Sequence, residues 1–222
     1  GAFWSQVIFD ATIGNKEKGM GQVEGTRVIV PQPAMAQLGS ILQTTIKKKH
    51  ALGVGKGGQV TDMFFAVSQV LEIGRDRLDC AAVASADIRT RGLHAGALTA
   101  AALARISIED SVMLCRDRWL RSEVGFQLSG SRLRMASWSD NLFTFGPPIE
   151  EAIDRMMELE TALLQAHSLD LKPSSKCVIK ASPAFRPGRD FVDPKVFSWK
   201  QVHELRVLGP VLAATGSTVT DI

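Results

Sequence analysis

The fold is decided by two apolar stretches, DCAAVASAD at residues 79–87 and WSDNLFTF at residues 138–145. The first predicts a buried strand whose last residue is an acid, Asp87. The second predicts a tight turn over residues 139–141 that leads into an apolar strand, so Asp140 lies between two strands. Two strand ends therefore each present a carboxylate.

These two carboxylates, Asp87 and Asp140, have two interpretations. Burial of a carboxylate beside an apolar run is costly unless a cation or a hydrogen-bond donor compensates for it. Two carboxylates brought side by side also repel each other, and a divalent ion relieves that repulsion; Mg²⁺ typically takes one or two protein carboxylates and completes its shell with water and phosphates. The alternative is structural, with one acid in an ordinary turn and the other capping a helix.

The rest of the chain predicts helices and strands in an α+β order with an antiparallel sheet. Residues 148–167 show a helical apolar stripe that includes Ile149, Ile153, Met156, Met157, Leu163 and Leu164. The pattern also predicts helices over residues 34–51, from residue 61, over 93–105 and from 107 to about 121. Strands are predicted over 2–10, 27–30 and 207–212, with a hairpin over 125–138 and a glycine-rich loop over 13–25.

Composition excludes several classes of protein. With 222 residues, 45% hydrophobic and 22% charged, the chain is suited to a globular core and not to disorder. Its three cysteines stand apart without a C-x-x-C pair, which favours a reducing compartment over a disulfide scaffold. The apolar run at residues 3–9 lacks a signal peptide's basic flank, and no run is long enough to span a membrane. We therefore expect an intracellular protein, nuclear or cytoplasmic, with no membrane partner.

Two other patterns carry little functional signal. GVGKGG at residues 53–58 lacks the spacing of a phosphate-binding loop and has no apolar strand leading into it. The four histidines, His50, His94, His167 and His203, form no metal-ligand motif. The net charge of +3 is compatible with a polyanionic partner but does not require one.

The order of segments resembles the reverse-transcriptase domain of non-LTR, LINE-like retrotransposons over nearly the whole chain. The family's palm strand that ends in a metal-binding aspartate is similar to residues 83–92, VASADIRTRG. The family's hairpin, usually written [F/Y]-A-D-D, is similar to residues 131–146, SRLRMASWSDNLFTFG. Four further stretches match family segments in the same order: TRVIVPQPAMAQLGSIL (26–42), GVGKGGQVTDMFFAVSQVLE (53–72), LDLKPSSKCVI (169–179) and LRVLGPVLAATGS (205–217).

The resemblance implies a fingers–palm fragment with a small antiparallel palm sheet packed by helices. Residues 1–75 would form a fingers-like segment and residues 76–222 a palm-like segment. Asp87 and Asp140 would be catalytic, and with Asn141 they would hold two Mg²⁺ ions for RNA-directed DNA synthesis. The partners would be an RNA template, a DNA primer and deoxynucleoside triphosphates. Nucleic acid would contact Arg27, Lys56, Arg89 and Lys176, although Lys176 is alternatively an ordinary surface lysine.

The chain also departs from the family pattern. Asn141 replaces the second hairpin aspartate, and the family's R-Q-G-x-P-x-S-P segment is missing, because LRSE at residues 120–123 passes directly to VGFQLSG at 124–130. Gly55 stands where a basic residue is usual, and Gln37 where the fingers lysine is expected. We also expect no endonuclease domain and little of a thumb. These departures indicate a degenerate, internally deleted copy with impaired polymerase activity. The alternative is a non-catalytic retrotransposon remnant that at most binds nucleic acid.

Overall fold

The computed structural model describes residues 12–15, 26–29, 59–77, 81–89, 98–128, 130–181, 199–215 and 218–219. The predicted strand at 2–10 and helix at 34–51 lie outside these residues, as do Gln37, Gly55 and Lys56. The helices are α1 (Val60–Asp76), α2 (Leu98–Arg121) and α3 (Ile149–His167). The predicted α+β class is confirmed, because these helices pack with antiparallel and mixed sheets.

The strands in the described part of the chain form four sheets. Their bounds are β1 Thr12–Asn15, β2 Thr26–Ile29, β3 Ala82–Arg89, β4 Phe126–Leu128, β5 Ser131–Leu133, β6 Met135–Trp138, β7 Asn141–Gly146, β8 Asp170–Leu171, β9 Cys177–Lys180, β10 Lys200–Val202, β11 Glu204–Arg206, β12 Val211–Ala213 and β13 Thr218–Val219. The central sheet has the order β10-β9-β3-β7-β6, and β8 also pairs with β3. Its neighbours are antiparallel except for the parallel pair β9–β10. The hairpins β1–β2 and β4–β5 and the C-terminal sheet β11-β12-β13 complete the set.

β3 is the middle of the fold because its side chains alternate between two buried faces. Ala82, Ala84, Ala86 and Ile88 lie in a core with α2 and α3. Ala81 and Val83 lie in a second core with α1 and the C-terminal sheet, which contribute residues such as Val67 and Leu212. A strand buried on both faces has a nearly continuous apolar sequence, as residues 80–86 do. α1, predicted to belong to the fingers-like segment 1–75, therefore packs onto the same sheet as the palm-like segment; the boundary at 75 stays a prediction.

α3 packs on the central sheet as its apolar stripe predicted. Ile153, Met156 and Leu163 are buried in the core shared with β3, and Ile149 packs against that core. Two polar contacts fix the helix on β7: the Thr144 hydroxyl donates to the Ala152 carbonyl at 2.7 Å, and the buried Arg155 guanidinium donates to the Phe145 carbonyl. Burial lowers the pKa of Arg155, and the nearby Glu151 carboxylate opposes that shift.

The structure corrects four details of the sequence-based prediction. Residues 98–121 form one helix and not two, since Ser107 does not cap a new helix; its carbonyl accepts a hydrogen bond from the Ser111 hydroxyl within α2. β1 occupies the start of the predicted loop 13–25. The strand pair predicted at 207–212 is β11 with β12, and residues 207–210 connect them. Met157 and Leu164 belong to the predicted apolar stripe of residues 148–167, but both are exposed to solvent.

Candidate functional site

The two predicted strand-end acids lie next to each other in the central sheet. Asp87 and Asn141 are directly opposite partners on the antiparallel strands β3 and β7. Beside this pair, the Ile88 amide donates to the Asp140 carbonyl at 2.7 Å. Asp140 belongs to the two-residue turn between β6 and β7, in which Ser139 has a left-handed φ of 53°. We call Asp87 and Asp140 the acidic pair.

Asp87 lies near the accessible end of β3, whereas Ala82, Val83 and Ala84 at the other end are fully buried. Asp87 continues the face that carries Val83 and Ser85, which is the face covered by α1 and the C-terminal sheet. Asn141 and Trp138 lie opposite each other on the neighbouring strands β7 and β6. Asp87, Asn141 and Trp138 are all half-buried, whereas Val83 and Phe145, farther along the same strands, are fully buried. This end of the sheet face is therefore open to solvent.

A bulge on the other side of β3 holds Asp87 by its backbone. Ser85 pairs with Cys177, and Ile88 pairs with Leu171, so residues 172–176 lie opposite only two residues of β3. The extra length forms a 3₁₀ turn, Pro173–Ser175. The Ser175 hydroxyl accepts a hydrogen bond from the Asp87 amide at 2.8 Å, and the Asp87 carbonyl accepts one from the Lys172 amide at 2.8 Å. We call residues 172–176 the Lys172 bulge.

The Lys172 bulge also places a cation between the two acids. The Lys172 ammonium nitrogen lies 3.6 Å from Asp87 Oδ2 and 3.8 Å from Asp140 Oδ2. All three side chains are about one-third exposed, at 38%, 33% and 36% for Lys172, Asp87 and Asp140. The acids thus share one counter-charge within reach of solvent. Sequence reasoning missed Lys172; the signal that was available was a basic residue in the quoted segment LDLKPSSKCVI.

Cys177 lies at the edge of the same site. It is the strand partner of Ser85, two residues before Asp87. Burial, and to a smaller extent the negative charge of Asp87, raise the pKa of the Cys177 thiol to about 11, while Lys200 opposes the rise. The thiol is therefore neutral near physiological pH and poorly suited to act as a nucleophile.

The predicted nucleic-acid-binding residues have different placements. Arg89 ends β3, and its guanidinium lies 3.4 Å from the Asp170 carboxylate at an exposed position near Asp87. The Lys176 ammonium contacts both Glu160 oxygens, at 2.9 and 2.7 Å, and lies 5.8 Å from the centre of the Trp199 ring. With 14% exposure, the Lys176 side chain mainly holds the Lys172 bulge against α3. Arg27 is in β2, but its side chain is outside the described part, and so is Lys56.

The acidic pair offers few ligands for metal ions. Two carboxylates suit one Mg²⁺, which commonly takes one or two of them. Asn141 adds an amide, whose nitrogen lies 3.4 Å from both the Trp138 carbonyl and an Asp140 oxygen. Among the side chains that the structure describes, no group of three or more His, Cys, Asp or Glu residues is placed to hold a metal ion.

No protein-family model matches the chain, and no curated protein sequence matches it. None of the described helices is both long and apolar enough to cross a membrane.

Proposed function

We propose that the chain is a degenerate reverse-transcriptase-like palm domain whose nucleotidyl-transfer centre is the acidic pair. One observation carries the proposal: Asp87 and Asp140, which are far apart in sequence, meet at adjacent ends of two antiparallel strands, with two helices packed behind them. The family motifs that the sequence resembles require this meeting. A large distance between the two acids would instead have favoured an unrelated α+β binding module.

Each residue of the site has a role in this proposal. Asp87, Asp140 and Asn141 would together hold the two Mg²⁺ ions that the resemblance implies, which would supply activation of a primer 3′-hydroxyl and stabilisation of the charge on the triphosphate. Asp87, which the bulge holds by its backbone at both the amide and the carbonyl, supplies the fixed carboxylate. Asp140 supplies the second carboxylate from the turn. Asn141 contributes a neutral amide where the family has a carboxylate, which weakens metal binding because a negative charge is lost.

Primer extension on an RNA template tests the catalytic part. We expect no extension, or very slow extension, with Mg²⁺ or Mn²⁺. The missing R-Q-G-x-P-x-S-P segment removes substrate positioning, which can contribute about 7–11 kcal/mol to lowering a barrier when the reactants are well aligned. For the same reason Asn141→Asp alone should not restore activity. Robust extension by the unchanged chain that Asp87→Ala abolishes would refute the proposed impairment. The matched control is Asp76→Ala, which removes an exposed acid at the end of α1.

A second candidate function is nucleic-acid binding without catalysis. The observation that favours it is the Lys172 ammonium, which offsets one of the two negative charges of the acidic pair and so lowers the negative charge near this end of the sheet. With a net charge of only +3, binding should be weak and should fall steeply as salt is added, because phosphate contacts release counterions. Fluorescence anisotropy with a labelled RNA–DNA duplex, measured from 50 to 300 mM salt, checks this. Affinity that does not change with salt would contradict it.

A further inference from the structure

We propose that Lys172 is a tethered cation that competes with a divalent metal ion for Asp87 and Asp140. The inference rests on the proposed function, because it assigns regulation to the same acidic pair. The ammonium lies 3.6 and 3.8 Å from one oxygen of each acid. A metal ion that used both of these oxygens would have to occupy the space beside the ammonium. Two cations cannot share this position without strong repulsion.

Hydrogen bonds of the Lys172 bulge fix the position of the Lys172 main chain. The Lys172 amide donates to the Asp87 carbonyl, and the Lys172 carbonyl accepts from both the Ser175 hydroxyl at 2.9 Å and the Ser175 amide at 3.0 Å. Leu171, the preceding residue, is buried, and its amide lies 3.3 Å from a Glu160 oxygen of α3. Because the main chain is held on both sides, the ammonium has a high local concentration at the acidic pair.

The side chain itself can still leave the site. Both nitrogen–oxygen distances exceed 3.5 Å, so the contacts are ion pairs and not short hydrogen bonds. Lys172 is 38% exposed, and its flexible four-carbon stem can place the ammonium in water. A divalent ion can therefore displace it, and the cost of displacement lowers the apparent metal affinity. Lys172 acts here as a positioning and competing group and touches no reacting atom.

Mn²⁺ binding to the full chain tests the proposal, with free Mn²⁺ measured by electron paramagnetic resonance at low, fixed salt. Lys172→Met keeps the length of the stem and removes the charge. Lys180→Met is the matched control, because Lys180 is an exposed lysine at the far end of β9 and its loss changes the net charge equally. We expect Lys172→Met to bind Mn²⁺ about tenfold more tightly than both the unchanged chain and Lys180→Met. Lys172→Arg, which keeps the charge, should stay near the unchanged chain.

The double variant Lys172→Met with Asp87→Asn tests whether the additional Mn²⁺ binding occurs at the acidic pair. We expect the increase in Mn²⁺ affinity to be lost in this variant. Thermal unfolding gives a readout without activity. Lys172→Met should unfold at a lower temperature than Lys180→Met in the absence of divalent ions, since the acidic pair has lost its counter-charge. Added Mn²⁺ should raise its midpoint more than that of the unchanged chain.

Each contrary outcome identifies which proposal fails. If Lys172→Met and Lys180→Met bind Mn²⁺ equally tightly and both lose this binding with Asp87→Asn, Lys172 does not compete with the metal ion. The proposed metal site is then still supported. If none of the variants binds Mn²⁺, the metal site itself fails, and Lys172 is a permanent counter-ion of the acidic pair and not a competitor. A gain in affinity that survives Asp87→Asn places the effect elsewhere on the chain and also overturns the proposal.

Discussion

Replacement of Gly74 by alanine tests how closely α1 packs on the central sheet. Gly74 is buried near the C-terminal end of α1. A Cβ added there would lie 2.3 Å from the Ala81 Cβ and 3.0 Å from the Ala181 Cβ. Both neighbouring atoms are fixed to the backbone, next to β3 and β9, so neither can rotate away. The helix must move off the sheet to admit one methyl group.

The expected loss of stability follows from two opposing effects. Overpacking a well-packed site costs about 1–3 kcal/mol, and a contact of 2.3 Å between two atoms without rotational freedom belongs at the upper end of that range. Alanine in place of glycine inside a helix increases the free energy of unfolding by about 1 kcal/mol. The free energy of unfolding should therefore fall by about 2 kcal/mol, which corresponds to a melting temperature about 4–8 °C lower for a chain of this size.

Urea unfolding followed by circular dichroism measures this loss. Gln69→Ala, at an exposed position of α1, is the control and should change the free energy of unfolding by less than about 0.5 kcal/mol. The double variant Gly74→Ala with Ala81→Gly removes the shortest contact, so the two changes should be less destabilising together than their sum. A Gly74→Ala chain as stable as the unchanged one would refute the close packing of α1 on the sheet that carries the acidic pair.

Two further predictions concern the helix behind the site and the thiol beside it. Met156→Ala, at a fully buried position of α3, should lower the free energy of unfolding by about 2–5 kcal/mol, whereas Met157→Ala, at the exposed neighbouring position, should change it little; chemical denaturation distinguishes them. Because folding raises the Cys177 pKa from 9.0 to about 11, the thiol contributes stability that is fully present below pH 9 and is lost as pH rises from 9 to 11. Asp87→Asn should lower that pKa and speed iodoacetamide labelling of Cys177 at pH 9, and Asp76→Asn should not; an unchanged labelling rate would contradict the influence of Asp87.

Local patterns in the sequence predicted most of the elements around the site. The apolar run before Asp87 predicted β3, the turn residues 139–141 predicted the β6–β7 hairpin, and the spacing of Ile153, Met156 and Leu163 predicted the buried face of α3. These predictions succeeded because burial of a strand on both faces gives a nearly continuous apolar run, and burial of one helix face gives an apolar period of about 3.6 residues. The adjacency of Asp87 and Asp140 followed from the antiparallel pairing of the strands that contain them.

Sequence patterns failed where tertiary packing decides the outcome. The sequence predicts two helices, over 93–105 and from 107 to about 121, because Ser107 followed by an acid resembles a cap; a serine also fits inside a helix, and the structure has the single helix α2. Met157 and Leu164 were placed in the α3 stripe because they adjoin it, and only the packed structure shows which edge of the stripe is covered. The Lys172 bulge has no local signature, because it exists only through the change of register between β8 and β9 against β3.

The charge balance at the acidic pair connects the fold to the proposed impairment. A palm site with three carboxylates needs divalent ions to hold those charges together. Here Asn141 removes one negative charge, and the Lys172 ammonium neutralises part of what remains. The two acids can then lie side by side without a metal ion, because their repulsion is already reduced. In the proposed function, the neutral Asn141 and the Lys172 ammonium would therefore act in the same direction, because each would reduce the attraction of the site for a divalent ion.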